Sequence, residues 1–186
     1  MTMAPQTSAA KDAPQILELP AQTMAVVRTQ GDPNEVGAQM FPALYGAVYP
    51  LKFALKKLGR DFKVGPLRAR WPDTHLVPKD QWTGGGGLPI PDDTTTLAQK
   101  VPDIPVQIEQ WTYGLVAQIL HIGPFSTKGP TIARLHAFIT DEGYEIAGTH
   151  EEEYLTARTA KVQKTLIRYP IRKAGEVPPN PAEETS

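Results

Sequence analysis

The sequence predicts an α+β fold: two β-α-β-β units related by pseudo-two-fold symmetry, an antiparallel sheet with helices on one side, and a central ligand cleft. Three observations lead there. Met24–Thr29 and Gly114–Ile122 have the composition or the alternation of strands. Each is followed by a Gly/Pro turn and by apolar residues at helical spacing that end on a glycine, Gly59 or Gly143. Further strand candidates come after each helix. The two halves therefore share an order of elements, although their residue identities are weak.

Taken in order, residues 1–13 are polar and rich in Ala, Pro and Thr, and read as a disordered leader. A domain over 14–174 comes next, with a first half at about 14–83, a linker at about 84–105 and a second half at about 106–174. Residues 175–186 read as a disordered tail. Gln15–Leu19 and Met24–Thr29 read as extended. Gly31-Asp32-Pro33 punctuates the chain, and Asn34 can cap a helix beginning there. From Glu35 to Leu58, the residues Met40, Leu44, Val48, Leu51, Leu55 and Leu58 form one helical face. Pro42 and Pro50 predict a break or kink in it. Lys56 and Lys57 suit its last turn, and Gly59 the left-handed cap. Phe62–Trp71 reads as one strand. The stretch from Pro72 to Pro105 holds six prolines and Gly84–Gly87, and reads as a long connection. The four glycines are no phosphate loop, since no Lys-Ser/Thr comes after them.

In the second half, Gln107–Trp111 is a short strand and Gly114–Ile122 one covered on both faces. Pro130 opens a helix whose buried stripe is Ile132, Leu135, Phe138 and Ile139. Tyr144–Ala147, Glu151–Leu155 and Thr165–Ile171 are the remaining strands. A cleft between two pseudo-symmetric halves is a favoured place for a ligand.

Composition narrows the function. Lys plus Arg number 19 against 20 Asp plus Glu, which leaves a net charge of -1 and no electrostatic footprint for nucleic acid or anionic lipid. No apolar run approaches a membrane span, and the start lacks the pattern of a signal peptide. These features predict a cytoplasmic protein, a monomer or weak homodimer, whose partner is neither nucleic acid nor membrane. The polar leader is too short for a helix-turn-helix. There is no cysteine, and His75, His121, His136 and His150 show no helical pairing, so neither metal nor cofactor is expected. No Gly-x-Ser-x-Gly elbow occurs.

Glu151, Glu152 and Glu153 are consecutive. In a strand Glu152 points away from the other two and shares a face with Tyr154. A carboxylate beside a phenol can accept its hydrogen bond, and burial in an apolar pocket is expected to raise the carboxyl pKa. Composition alone favours an acidic, solvated strand edge for all three. Trp71, Trp82, Trp111, Tyr45, Tyr49 and Phe125 are candidate pocket walls or ordinary core residues. His121 reads first as a structural histidine bonded to backbone and second as a pocket base. His150 adjoins the acidic run, and His136 lies at a helix margin.

Several segments resemble the GyrI-like family. They are His121-Ile122-Gly123-Pro124-Phe125, then Leu135-His136-Ala137-Phe138, then Gly148 to Leu155. The first half agrees through Leu44-Tyr45-Gly46, Tyr49 to Lys57, Asp61 to Val64, Pro66-Leu67 and Trp71. The ending Lys164 to Arg168 resembles the stand-alone branch. The resemblance runs from about Gln15 to Arg172. It implies a duplicated β-α-β-β fold and a central pocket, with Glu152 and Tyr154 as its functional pair. It reverses the solvated reading for Glu152 and leaves it for Glu151 and Glu153. The sequence departs from the branch at Glu151, Glu153, Arg68 and Pro72. Some members of the branch resemble hydrolases that open strained cyclopropane rings of genotoxic compounds; others only bind.

The reading is therefore a stand-alone binding domain for bulky hydrophobic small molecules, cationic ones included, acting in drug sensing or sequestration. Its ligand-binding residues are Glu152, Tyr154, Trp71, Tyr45, Tyr49, Trp111, Phe125 and His121. The first alternative is a cyclopropane-opening hydrolase with Glu152 as general base and Tyr154 beside it. The second is a protein-interaction inhibitor of a topoisomerase.

Overall fold

The computed structural model describes residues 12–71 and 78–178. Most of the expected leader, Pro72, His75 and the end of the expected tail lie outside the described residues.

Strands of matched length frame the two halves. β1 (Gln15–Leu19) and β5 (Gln107–Trp111) have five residues each, and β2 (Gln22–Gln30) and β6 (Gly114–Ile122) nine each. Helix α1 (Pro33–Lys57) comes after β2, and α2 (Lys128–Asp141) after β6 and a short 3-10 turn. β3 (Arg68–Trp71) and β4 (Thr83–Pro89) complete the first half. β7 (Tyr144–Ile146), β8 (His150–Tyr154) and β9 (Lys164–Lys173) complete the second.

The antiparallel sheet runs β1-β6-β9-β8-β3-β4-β2-β5, with β7 paired to β9 off this path. The order reads the same after the halves are exchanged. The register does too. Val26 pairs Gly87 where Gln118 pairs Arg168, and Arg68 pairs Gly87 where Glu151 pairs Arg168. Ala69 opposite Glu152 is the pair that maps onto itself, so the pseudo-two-fold axis passes through it. Each half also lends its leading strand to the other: β1 pairs with β6, and β5 with β2.

α1 buries Met40, Ala43, Leu44, Ala47 and Val48 against the sheet, while Leu58 at its end is exposed. It begins at Pro33, before Asn34, and is one helix across Pro42 and Pro50. Both prolines are exposed. The carbonyls they leave without helical partners can take water, and the expected break does not occur. Gly59 ends the helix at φ 74°, with Gly59 N bonded to Lys56 O and Arg60 N to Leu55 O, a paired C-terminal closure. α2 buries Leu135 and Ile139, and Gly143 lies just beyond it at φ 84°.

Two further expectations are corrected. Only Arg68–Trp71 of the segment from Phe62 is strand. Pro66 has no N–H to give a ladder, and Phe62 and Val64 pack on the α1 side instead. The four glycines, placed in the linker by composition, form the middle of β4, between β3 and β2. They are glycine because other groups occupy the space of a side chain. A Cβ on Gly86 would lie 2.4 Å from Met40 Sδ of α1, and one on Gly87 3.1 Å from the Trp111 ring. A Cβ on Gly84 would lie 2.4 Å from Trp71 Cε3 and 2.8 Å from the Arg70 carbonyl oxygen. Met40 can move aside; a tryptophan and a backbone carbonyl cannot do so cheaply. Gly84→Ala is expected to cost about 1–3 kcal/mol by overpacking, measured by urea denaturation, with Gly86→Ala costing less.

Among the described residues, no helix is long and apolar enough to cross a membrane.

Candidate ligand-binding cleft

Strand alternation sends one row of β3 and β8 into the space between the helices. Ala69 and Trp71 come from β3, and His150, Glu152 and Tyr154 from β8. Because the self-mapped pair is Ala69 and Glu152, a methyl group stands where symmetry would have put a second functional side chain. Trp71 and Tyr154 are then symmetry counterparts on either side of the axis. Walls come from Phe41 and Tyr45 of α1, from Phe125, Lys128 and Ile132 around the start of α2, and from Trp82. The cleft they enclose has a volume of about 1410 Å³. That is above the usual range of about 300–1,000 Å³ for small-molecule sites.

Glu152 is 3% exposed, and both of its oxygens are engaged. Oε1 accepts from Lys128 Nζ and lies 2.9 Å from His150 Nε2; Oε2 accepts from the Tyr154 hydroxyl at 3.0 Å. A carboxylate only accepts, so His150 Nε2 carries its proton. In the neutral ring Nδ1 then accepts from the Tyr169 hydroxyl at 2.7 Å. The Phe125 ring meets Tyr154 edge-on at 5.5 Å, and Trp82 lies 6.2 Å from Trp71.

Burial alone pushes the Glu152 carboxyl up, as expected, and is the largest single influence. The His150 hydrogen bond, with the charge and hydrogen bond of Lys128, outweighs it and holds the pKa at about 2. The expected rise is therefore corrected to a fall. Tyr154 is pushed up by burial and then by the adjacent Glu152 charge, so its hydroxyl keeps its proton. Burial and the Glu152 charge also push Tyr169 up to about 12.

This depressed pKa ties stability to pH. A folded pKa held below the ordinary 4.5 stabilises the fold above pH 4.5, and that contribution is lost as pH falls toward 2. At about 1.4 kcal/mol per pKa unit it is on the order of 3 kcal/mol. Glu152→Gln lacks it. The stability difference between wild type and Glu152→Gln, measured by urea denaturation, is expected to shrink between pH 6 and pH 2.5. A constant gap would show that Glu152 is not held ionised by its neighbours.

Of the residues singled out in the sequence, Glu152, Tyr154, Trp71, Tyr45, Phe125 and Trp82 line the cleft. Three others are elsewhere. Trp111 packs on the opposite side of the sheet, with the Arg70 guanidinium 4.0 Å from its ring and its indole N–H on Glu109. Tyr49 is one turn beyond Tyr45 on α1, 41% exposed, beside a second hollow with Lys52 and Phe62 that shares Lys63 and Val64 with the cleft. His121 is buried and ties β6 to the start of α2: Nδ1 lies 2.8 Å from Thr131 Oγ1 and Nε2 3.0 Å from the Pro124 carbonyl. It takes the structural role.

The solvated reading of Glu151 and Glu153 is corrected as well. They point away from Glu152, but they are buried. Arg168 donates to Glu151 at 2.5 Å, to Glu153 at 3.0 Å and to Gln118 at 3.0 Å. Arg70 and Tyr113 donate to Glu151 at 2.8 and 3.0 Å, and Arg68 donates to the Tyr113 hydroxyl at 2.9 Å.

Sequence reasoning missed Lys128 and Tyr169, and left His150 undecided. A signal for Lys128 existed. It is a cation in the first turn of α2, where the helix dipole favours anions and no acid is present.

Comparison with known proteins agrees with this fold. The family model for the GyrI-like small molecule binding domain matches residues 12–172. A conserved, uncharacterized protein from Listeria innocua has a similar structure, with a TM-score of 0.76 and 27% identity over 88% of this chain and 94% of that one. A hydrolase from Listeria innocua superposes with a TM-score of 0.70 and 26% identity over 87% and 93%. The C-terminal domain of EcmrR shares the fold, with a TM-score of 0.58 at 13% identity over 87% and 98%. No curated protein sequence matches the chain.

Proposed function

We propose, from the premise that this chain belongs to the GyrI-like family, that it binds one bulky, largely apolar small molecule in the cleft between α1 and α2. The supporting observation is the lining of the cleft. There Trp71, Trp82 and Tyr154 offer ring surface around the buried carboxylate of Glu152. Flat rings bind well to such a surface, and the polar groups fix orientation.

Tryptophan fluorescence tests it, because two of the three tryptophans line the cleft. Titration with a panel of polycyclic hydrophobic compounds is expected to quench emission saturably. Trp71→Phe is expected to weaken both the signal and the affinity. No saturable change across the panel, with folding intact, would count against the reading.

A second reading, hydrolysis, is favoured by the 3.0 Å contact of Tyr154 with Glu152 and by the likeness to a hydrolase. For a cyclopropane fused to a conjugated carbonyl, water oxygen would bond to the ring methylene carbon. The ring C–C bond would break, and its electron pair would pass to the carbonyl oxygen. Glu152 would take the proton from water, and Tyr154 would supply one to that oxygen. A carboxylate held near pKa 2 is a weak base, so this reading requires Lys128 to swing away when substrate binds. Incubation with such an alkylator and mass analysis of products decides. Unchanged substrate at concentrations where binding is shown removes this reading.

A further inference from the structure

The cleft is aromatic in surface but cationic in charge. Among the described residues, four side chains charged at neutral pH line it: Glu152, Lys128, Lys63 and Arg158. Three are positive, in a chain whose net charge is -1. Glu152 and Lys128 cancel by direct contact. Lys63 and Arg158 remain, and both are exposed. Neither forms an ion pair with a carboxylate among the described residues; Asp61, two positions before Lys63, is taken by Lys52 at 2.6 Å. Lys63 belongs to the segment between α1 and β3, and Arg158 to the one after β8. Each half thus contributes to the cleft one exposed cation that has no carboxylate partner among the described residues.

This arrangement bears on the ligand's charge. A cationic ligand would have to displace Lys128 from Glu152 or sit beside three positive groups. An anionic group would meet a lysine and an arginine that no carboxylate among the described residues holds. An arginine also offers forked donors to a carboxylate or sulfonate. On the reading that the cleft binds an apolar small molecule, we propose that its ligand is a flat aromatic compound bearing one anionic group. The rings lie on Trp71, Trp82 and Tyr154, and the anion reaches Lys63 and Arg158 at the rim.

The test uses one fluorophore with three charges: dansylglycine (anionic), dansylamide (neutral) and dansylcadaverine (cationic). Each is titrated into the full chain while tryptophan-to-dansyl energy transfer is monitored. Affinity is expected to fall in that order, by about tenfold from first to last, with the anion's advantage shrinking in high salt. The double substitution Lys63→Ala/Arg158→Ala is expected to weaken dansylglycine roughly fivefold and to leave dansylamide unchanged. Equal affinities for the three probes, or tightest binding of dansylcadaverine, overturn the inference and leave the binding function standing. Saturable binding of none of them removes the binding function, and the inference with it.

Discussion

Arg168→Met is expected to destabilise the protein by about 3–5 kcal/mol, the cost of leaving buried charges without their partner. Arg168 is 5% exposed, and its three donor nitrogens serve Gln118, Glu151 and Glu153. Methionine keeps most of the volume and removes all three bonds. Glu151, 2% exposed, would keep Arg70 and Tyr113; among the described residues Glu153 would keep only Arg68, at 3.6 Å. Because charge rather than shape is lost, Glu153→Gln in the Arg168→Met background should cost less than Glu153→Gln alone. Urea denaturation of the four proteins of that cycle measures the coupling, expected at about 1–3 kcal/mol. A loss below about 1 kcal/mol for Arg168→Met would mean that water already solvates the cluster. The cleft side of the sheet is untouched, so ligand affinity should survive in whatever fraction remains folded.

That cluster also takes in three of the four residues at which the sequence reads as departing from the stand-alone branch it resembles. Arg68, Glu151 and Glu153 are three of those departures, and all lie on the face of the sheet away from the cleft. The pseudo-two-fold axis sets Arg68 against Glu151 and Arg70 against Glu153. Two identical halves would stack like charges across the axis. Here one half carries the arginines and the other the glutamates. None of this could be read from neighbouring residues. Strand parity correctly sent Glu152 and its two neighbours to opposite faces. Burial of the neighbours depended on side chains from β3, β9 and Tyr113, far away in the chain.

The glycine run misleads for a related reason. Glycine has poor strand propensity, and prolines surround it, so local signals point to a loop. What makes it a strand is the closeness of Met40, Trp71 and Trp111, which no window of sequence contains. One clue is present all the same. A repeated β-α-β-β order requires two strands after α1 to match β8 and β9, and local signals supply only one. The turn glycines are more legible. Gly31 and Gly123 close equivalent strands at φ 118° and 132°, and Gly59 and Gly143 close the two helices.

Lys128→Met should invert the charge preference of the cleft. In the wild type, Lys128 and His150 share Glu152 Oε1, while burial works against the ionised carboxylate. Removing the ammonium leaves a buried anion with two hydrogen-bonding neighbours among the described residues, His150 and Tyr154. Two outcomes are expected. The Glu152 pKa rises from about 2 toward or beyond the ordinary value, because the largest influence on it, burial, then meets weaker opposition. The fold also loses stability, which a bound cation restores. Dansylcadaverine is expected to bind Lys128→Met at least about tenfold more tightly than wild type, since its ammonium takes the vacated place beside a desolvated carboxylate. At 100 times its dissociation constant it should return about 2.7 kcal/mol of stability, visible as a rise in melting temperature. Dansylglycine should lose affinity over the same substitution. In Lys128→Met/Glu152→Gln the gain for the cation should vanish. If dansylcadaverine binds Lys128→Met no better than wild type, then Glu152 does not face bound ligand, and neither cation binding nor proton abstraction can be assigned to it.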